Sequence, residues 1–144
     1  MTGKADFTEE EWELVQEGPA IAGIFAAMAS SGGSFRESWA LAKSYAEAQK
    51  QHGESELLDA LVAERPPVKR YDSQEELEGE GLGRLRQAVA LLEQKATPDE
   101  VEAYRRFVLA VAEKVAAAHK EEGAAVSQEE REAIEKVTAI LNPA

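Results

Sequence analysis

The sequence contains no cysteine among its 144 residues. This absence excludes disulfide bonds, thiolate metal ligands, iron–sulfur clusters and a cysteine nucleophile. It also agrees with a reducing compartment, where structural disulfides are rare. The first residues lack the basic start and the apolar run that a secretory signal peptide needs. We therefore expect a cytoplasmic protein.

Long apolar runs and an excess of positive charge are missing as well. The longest apolar stretch covers residues 19–29, which is well short of the roughly 20 residues that span a bilayer. The net charge is −12, with 28 acidic and 16 basic side chains. Nucleic-acid backbones and anionic lipids repel such a surface. We expect no membrane span and no nucleic-acid binding, and the acidity favours cationic partners.

The motifs of the common enzyme classes are also scarce. The two histidines lie outside any His-Glu-x-x-His run and stand near predicted helix ends, where the helix dipole favours them. The sequence has no Gly-x-Ser-x-Gly elbow and no Asp-rich calcium loop. Gly79, Gly81 and Gly83 follow no strand and have acidic neighbours, which argues against a phosphate-binding loop. We expect no catalytic residues, no cofactor and a non-catalytic function.

Helix-forming residues are what the sequence has in quantity. It contains 26 alanines and 24 glutamates, and both residue types favour helices. No segment alternates apolar and polar residues over the length of a strand. The sequence therefore predicts an all-α fold, a compact bundle of about six helices in one domain covering residues 1–144. The predicted helices cover residues 9–29, 35–51, 56–64, 74–95, 98–122 and 128–141, and a loop at 65–72 and a Gly-rich segment at 78–83 lie between the two halves.

Capping boxes mark the predicted helix starts. In this motif Ser or Thr precedes Glu by three residues, and the two side chains satisfy each other's free backbone N–H groups. The pattern occurs at Thr8/Glu11, Ser34/Glu37, Ser73/Glu76, Thr97/Glu100 and Ser127/Glu130. Phe7 and Trp12 flank the first box at the spacing of a hydrophobic staple. Gly18 and Pro19 lie inside the first predicted helix, where proline predicts a kink.

Apolar residues recur at intervals of three and four in the later predicted helices, so each helix has one face that must be buried. The stripes are Leu82, Leu85, Val89 and Leu92; Val101, Tyr104, Val108, Val111 and Val115; and Ile134, Val137 and Leu141. The same logic places further residues in the core, because large apolar and aromatic side chains are usually buried. These residues are Phe25, Met28, Phe35, Trp39 and Tyr45.

Two segments of the chain have the same order of predicted elements. Residues 23–41 and 111–134 each contain an alanine-rich helix, a turn with glycine and a capped helix. The plan aligns Ser34 with Ser127, together with the glutamates three residues later, and a duplicated helical hairpin would produce it. The pattern resembles the TerB-like helical family associated with tellurite resistance, and it is similar to a set of small bacterial helical proteins.

The resemblance implies a metal-binding stress-response module, because acidic turn residues are linked with metal binding in that family. The sequence motif of that family has Asp before the glycine of the turn, whereas the two turns here have the sequences Ser-Ser-Gly and Glu-Glu-Gly. The weak metal candidates that remain are His119, Glu121 and Glu122. We expect no tight metal site, because the Asp of the turn is missing from both copies and metal ions need three or more converging ligands.

One basic and aromatic segment stands out in this acidic chain, around two adjacent prolines in the longest predicted loop. Binding residues concentrate on loops that a rigid scaffold holds. The candidate contacts to a protein partner are therefore Arg65, Lys69, Arg70 and Tyr71; a plain surface connector is the alternative. We interpret the chain as a non-catalytic protein–protein interaction or adaptor module. A TerB-like metal-binding module and an acidic nucleic-acid mimic that blocks a basic protein remain alternatives.

The stripe of the fifth predicted helix allows a test of the fold. We expect Val108 to be buried and a Val108→Asp variant to unfold. Burying an unpaired carboxylate costs roughly as much as the whole free energy of unfolding of a small domain. Thermal denaturation followed by circular dichroism measures the effect. A variant that melted within a few degrees of the parent protein would show that this helix face is misassigned.

Overall fold

The computed structural model of the chain describes residues 6–28, 43, 45–50, 56–63, 74–121 and 128–141. Of these residues 94% are helical, and none of them lies in a strand. The prediction of an all-α bundle is therefore confirmed. The helices of the described part are α1 (Glu9–Met28), α2 (45–50), α3 (Glu56–Val62), α4 (74–95), α5 (Pro98–Glu121) and α6 (Gln128–Leu141).

The observed helix bounds agree with the predicted ones to within two residues wherever both can be compared. α4 and α6 begin and end as predicted, α5 ends at Glu121, and α3 ends at Val62. Most of the second predicted helix lies outside the described residues. The first turn of the proposed repeat and residues 122–125 of the second also lie outside them, while residues 119–121 belong to α5, so the repeat stays a prediction.

α1 occupies the centre of the bundle. Residues 17–23 are all buried, and α4, α5 and α6 pack against this helix. A helix that has neighbours on every side is apolar all round rather than along one stripe. This explains why the sequence shows a continuous apolar run here.

The predicted stripes of α4 and α5 form much of the core. Every residue in these two stripes is at most 5% exposed, and Val108 is completely buried. On α6, Val137 and Leu141 are buried and Ile134 is half-buried. Phe25 and Tyr45 are buried as predicted. The predicted core residues Phe35 and Trp39 and the side chain of Met28 lie outside the described part.

Two of the predicted capping boxes are present in the described residues. The Thr8 N–H donates to Glu11 Oε1 at 2.9 Å, and the Glu11 N–H donates to Thr8 Oγ1 at 3.1 Å. Thr97 and Glu100 make the same pair of bonds at the start of α5, at 3.1 and 3.2 Å. The serines of the other three boxes lie outside the described residues.

The predicted hydrophobic staple also forms at the start of α1. The rings of Phe7 and Trp12 have their centroids 5.6 Å apart, and both residues are buried. The staple and the first capping box together fix the direction in which the chain enters α1.

One turn of α4 departs from α-helical geometry. Leu77–Gly81 forms a π-helical turn, and the Leu82 N–H donates to the carbonyl of Leu77, five residues back. Leu77 and Leu82 are both buried. Residues five apart in an α-helix point about 140° away from each other. The wider π turn brings both leucines to the core face.

The glycines of this segment do not interrupt α4, which continues from residue 74 to residue 95. A Cβ atom added at Gly79 or Gly83 would meet no atom within 4 Å apart from the neighbouring residues and backbone of its own helix. Packing within the described residues therefore does not require glycine at either position. Because glycine costs about 1 kcal/mol relative to alanine inside a helix, the glycines lower the helical stability of this segment without interrupting the helix.

The π turn predicts that α4 tolerates the loss of one residue at this point. Deleting Gly79 leaves Leu77 and Leu82 four positions apart, so a regular α-helix can bury both, and we expect the variant to fold. Deleting Gln87 instead rotates Val89 and Leu92 by about 100° relative to Leu82 and Leu85, which turns part of the apolar stripe away from the core and should unfold the protein. Urea denaturation compares the two deletions. Equal destabilisation by both would contradict this explanation of the π turn.

Candidate functional site

The site residues that the sequence predicted lie outside the part of the chain that the structure describes. This holds for Arg65, Lys69, Arg70, Tyr71 and Glu122. His119 and Glu121 belong to the last turn of α5, but their side chains are also outside the described part. Within that part, no group of three or more metal-ligating side chains comes together. The partner-binding loop and the metal candidates stay predictions.

The described residues bring acidic side chains together in a groove between α1 and α4. The groove has a volume of about 590 Å³. Its walls are formed by Glu10, Glu11, Glu13, Leu14, Glu17, Arg84 and Gln87. Residues three and four apart on a helix are neighbours on one face, so the acidic residues of α1 form a continuous wall. We call this feature the acidic groove.

Glu17 lies at the inner end of the acidic groove, where α1 enters the core. Its side chain is 7% exposed, and Arg84 Nε donates to Glu17 Oε2 at 2.5 Å. The Nη2 atom of Arg84 contacts the same oxygen. A buried carboxylate is strongly destabilising without a partner. Arg84 therefore neutralises Glu17 and joins α4 to α1.

Glu11 is neutralised by a residue at the other end of α4. Lys95 Nζ lies 2.8 Å from Glu11 Oε1, donates to the Asp6 carbonyl at 3.3 Å and lies 5.6 Å from the centroid of the Phe7 ring. The hydrogen bond from Lys95, followed by the one from the Thr8 N–H, holds the pKa of Glu11 below its usual value of 4.5. Lys95 thus fixes the outer end of the acidic groove.

Glu10 and Glu13 differ from these two glutamates. Both side chains are exposed, and neither makes a hydrogen bond or an ion pair with any residue of the described part. The half-buried Leu14 lies next to Glu13 on the same wall. Two of the four carboxylates in the acidic groove are therefore without a cationic partner in this part of the chain.

A second contact joins α1 to α5 behind the acidic groove. Proline has no N–H, so Pro19 leaves the Val15 carbonyl without its α-helical donor. The Tyr104 hydroxyl donates to that carbonyl at 2.8 Å, and Tyr104 is fully buried. A Cβ atom at Gly18 would lie 1.9 Å from this hydroxyl oxygen. Gly18 therefore provides the space that the phenol occupies.

The second buried phenol lacks such a partner. Tyr45 is 5% exposed and packs edge-on against Phe107, with the ring centroids 5.2 Å apart. Its hydroxyl has no hydrogen-bond partner in the described residues. Desolvation by burial raises the pKa of both tyrosines, and Tyr45 and Glu17 raise the pKa of Tyr104 further. Both phenols are therefore neutral at physiological pH.

No known protein family, curated protein or solved structure matches this chain. The TerB-like resemblance thus rests on the residue pattern alone. Among the helices of the described part, none is both long enough and apolar enough to cross a membrane.

Sequence reasoning missed the acidic groove and the Tyr104 bond for different reasons. The sequence shows that the first helix begins with several glutamates. It does not show which of them form ion pairs, because their partners Lys95 and Arg84 lie on α4. For Tyr104 a local signal did exist. A proline inside an apolar helix leaves a carbonyl without a donor, which predicts that a hydroxyl or amide from another helix supplies one.

The two buried tyrosines form a matched pair for a stability test. Tyr104→Phe leaves the Val15 carbonyl buried without a donor, which should cost about 1–3 kcal/mol of unfolding free energy. Tyr45→Phe removes a hydroxyl that has no partner in the described part, so we expect no loss or a small gain. Urea denaturation of both variants measures the difference. If Tyr45→Phe were as destabilising as Tyr104→Phe, the bond to Val15 would not be the cause.

The Glu11–Lys95 pair predicts a dependence of stability on pH. Because the folded protein lowers the pKa of Glu11, the pair stabilises the protein above pH 4.5, and this contribution is lost as the pH falls below that value. Glu11→Gln keeps the capping geometry but removes the charge. We expect this variant to be less stable than the parent at neutral pH, and the difference to disappear in acid.

The control for this prediction is Glu10→Gln, which removes a charge from the same turn without breaking an ion pair in the described part. Chemical denaturation at a series of pH values gives the unfolding free energies. A difference between parent and Glu11→Gln that stayed constant through the acid range would contradict the electrostatic explanation.

Proposed function

We propose that the protein is a non-catalytic interaction module that binds a cationic segment of another protein in the acidic groove. The observation that carries the proposal is the pair Glu10 and Glu13. Both are exposed carboxylates on one groove wall, and neither has a partner in the described residues. Lys or Arg side chains of a partner would pair with Glu10 and Glu13, as Lys95 and Arg84 pair with Glu11 and Glu17.

The chemistry of the groove suits long basic side chains. Lys and Arg place their apolar stems against apolar surface and their charged ends in water, and Leu14 offers such a surface beside Glu13. The net charge of −12 attracts a cationic partner over distance and raises its association rate. Exposed charges are screened over about 10 Å at 0.1 M salt, so binding should weaken as salt is added.

We propose that the basic loop, residues 65–72, makes a second contact with the partner. Arg65, Lys69 and Arg70 have the opposite charge to the acidic groove and, together with the neutral aromatic side chain of Tyr71, would meet a different, acidic part of the partner. Their contribution is independent of the groove, so replacing the three basic residues by Ala or Ser tests it separately.

The same carboxylates support a second candidate function, an acidic mimic that occupies the nucleic-acid-binding face of a basic protein. The two functions differ in what competes with binding. DNA or RNA should displace the protein from its partner if it acts as a mimic, and should have no effect on an adaptor contact elsewhere. The TerB-like metal-binding module stays a hypothesis that rests on the resemblance, and no described residue favours it.

The proposal predicts the effect of removing the two unpaired charges. We expect Glu10→Gln with Glu13→Gln to weaken partner binding on the order of 2–30-fold, because each exposed ion pair contributes about 0.2–1 kcal/mol and each 1.4 kcal/mol is tenfold. Affinity capture from cell extract, with quantitative mass spectrometry at low and high salt, measures the change.

The matched control is Glu75→Gln with Glu113→Gln. It makes the same change in net charge, and both residues are exposed and lie outside the acidic groove. Glu75 lies in the first helical turn of α4, so it also matches Glu10 in its effect on the helix dipole. Equal capture by the groove variant and the parent, or an equal loss in the control, would remove the groove from the proposed function.

A further inference from the structure

We draw no further inference here: the strongest candidate, the shallow groove between α4 and α6 that is lined by Glu78, Arg86, Ala90, Lys136 and Ala139, has an apolar floor, but nothing in the structure shows what covers it.

Discussion

The hydrogen bond from Tyr104 to the Val15 carbonyl is what allows a proline-containing helix to occupy the centre of this bundle. A central helix has little contact with water, so a carbonyl that proline deprives of its donor must find another one in the protein. Tyr104 is that donor, and it can reach α1 because Gly18 has no side chain. The bond from Tyr104 to Val15 thus adds one buried polar contact to the apolar packing of α1 against α5.

The charges of α1 follow from the way α4 lies beside it. Glu11 pairs with Lys95, and Glu17 pairs with Arg84, so the two helices run in opposite directions. These two glutamates tie the helices together and are neutralised in doing so. Glu10 and Glu13 face water on the same wall. The first turns of α1 therefore carry two kinds of carboxylate. Glu11 and Glu17 join α1 to α4, and Glu10 and Glu13 are exposed to solvent.

The features that sequence reasoning predicted are local ones. Capping boxes such as Thr97/Glu100 and the stripes of α4 and α5 depend on residues within a few positions of each other, and local spacing is enough to find them. The π turn was not predicted, although its signal is also local. Leu77 and Leu82 are five positions apart, a spacing that a regular α-helix cannot place on one face. The acidic groove was not, because Glu17 and Arg84 are 67 residues apart, and no spacing rule connects them. The predicted loop site depends on residues outside the described part, so it remains a prediction from the sequence.

The central position of α1 has a consequence for how the chain folds. α1 is synthesised before α4, α5 and α6, yet its neighbours in the core come from those later helices. Val15 and Tyr104 are 89 residues apart, which is a long separation for a helical bundle, and distant contacts slow folding because a long loop must close first. Within the described part of the chain, the helices that cover the apolar surface of α1 are therefore made after it. Until they are made, that cover is missing, and exposed apolar surface of this kind makes a nascent chain prone to chaperone binding and aggregation.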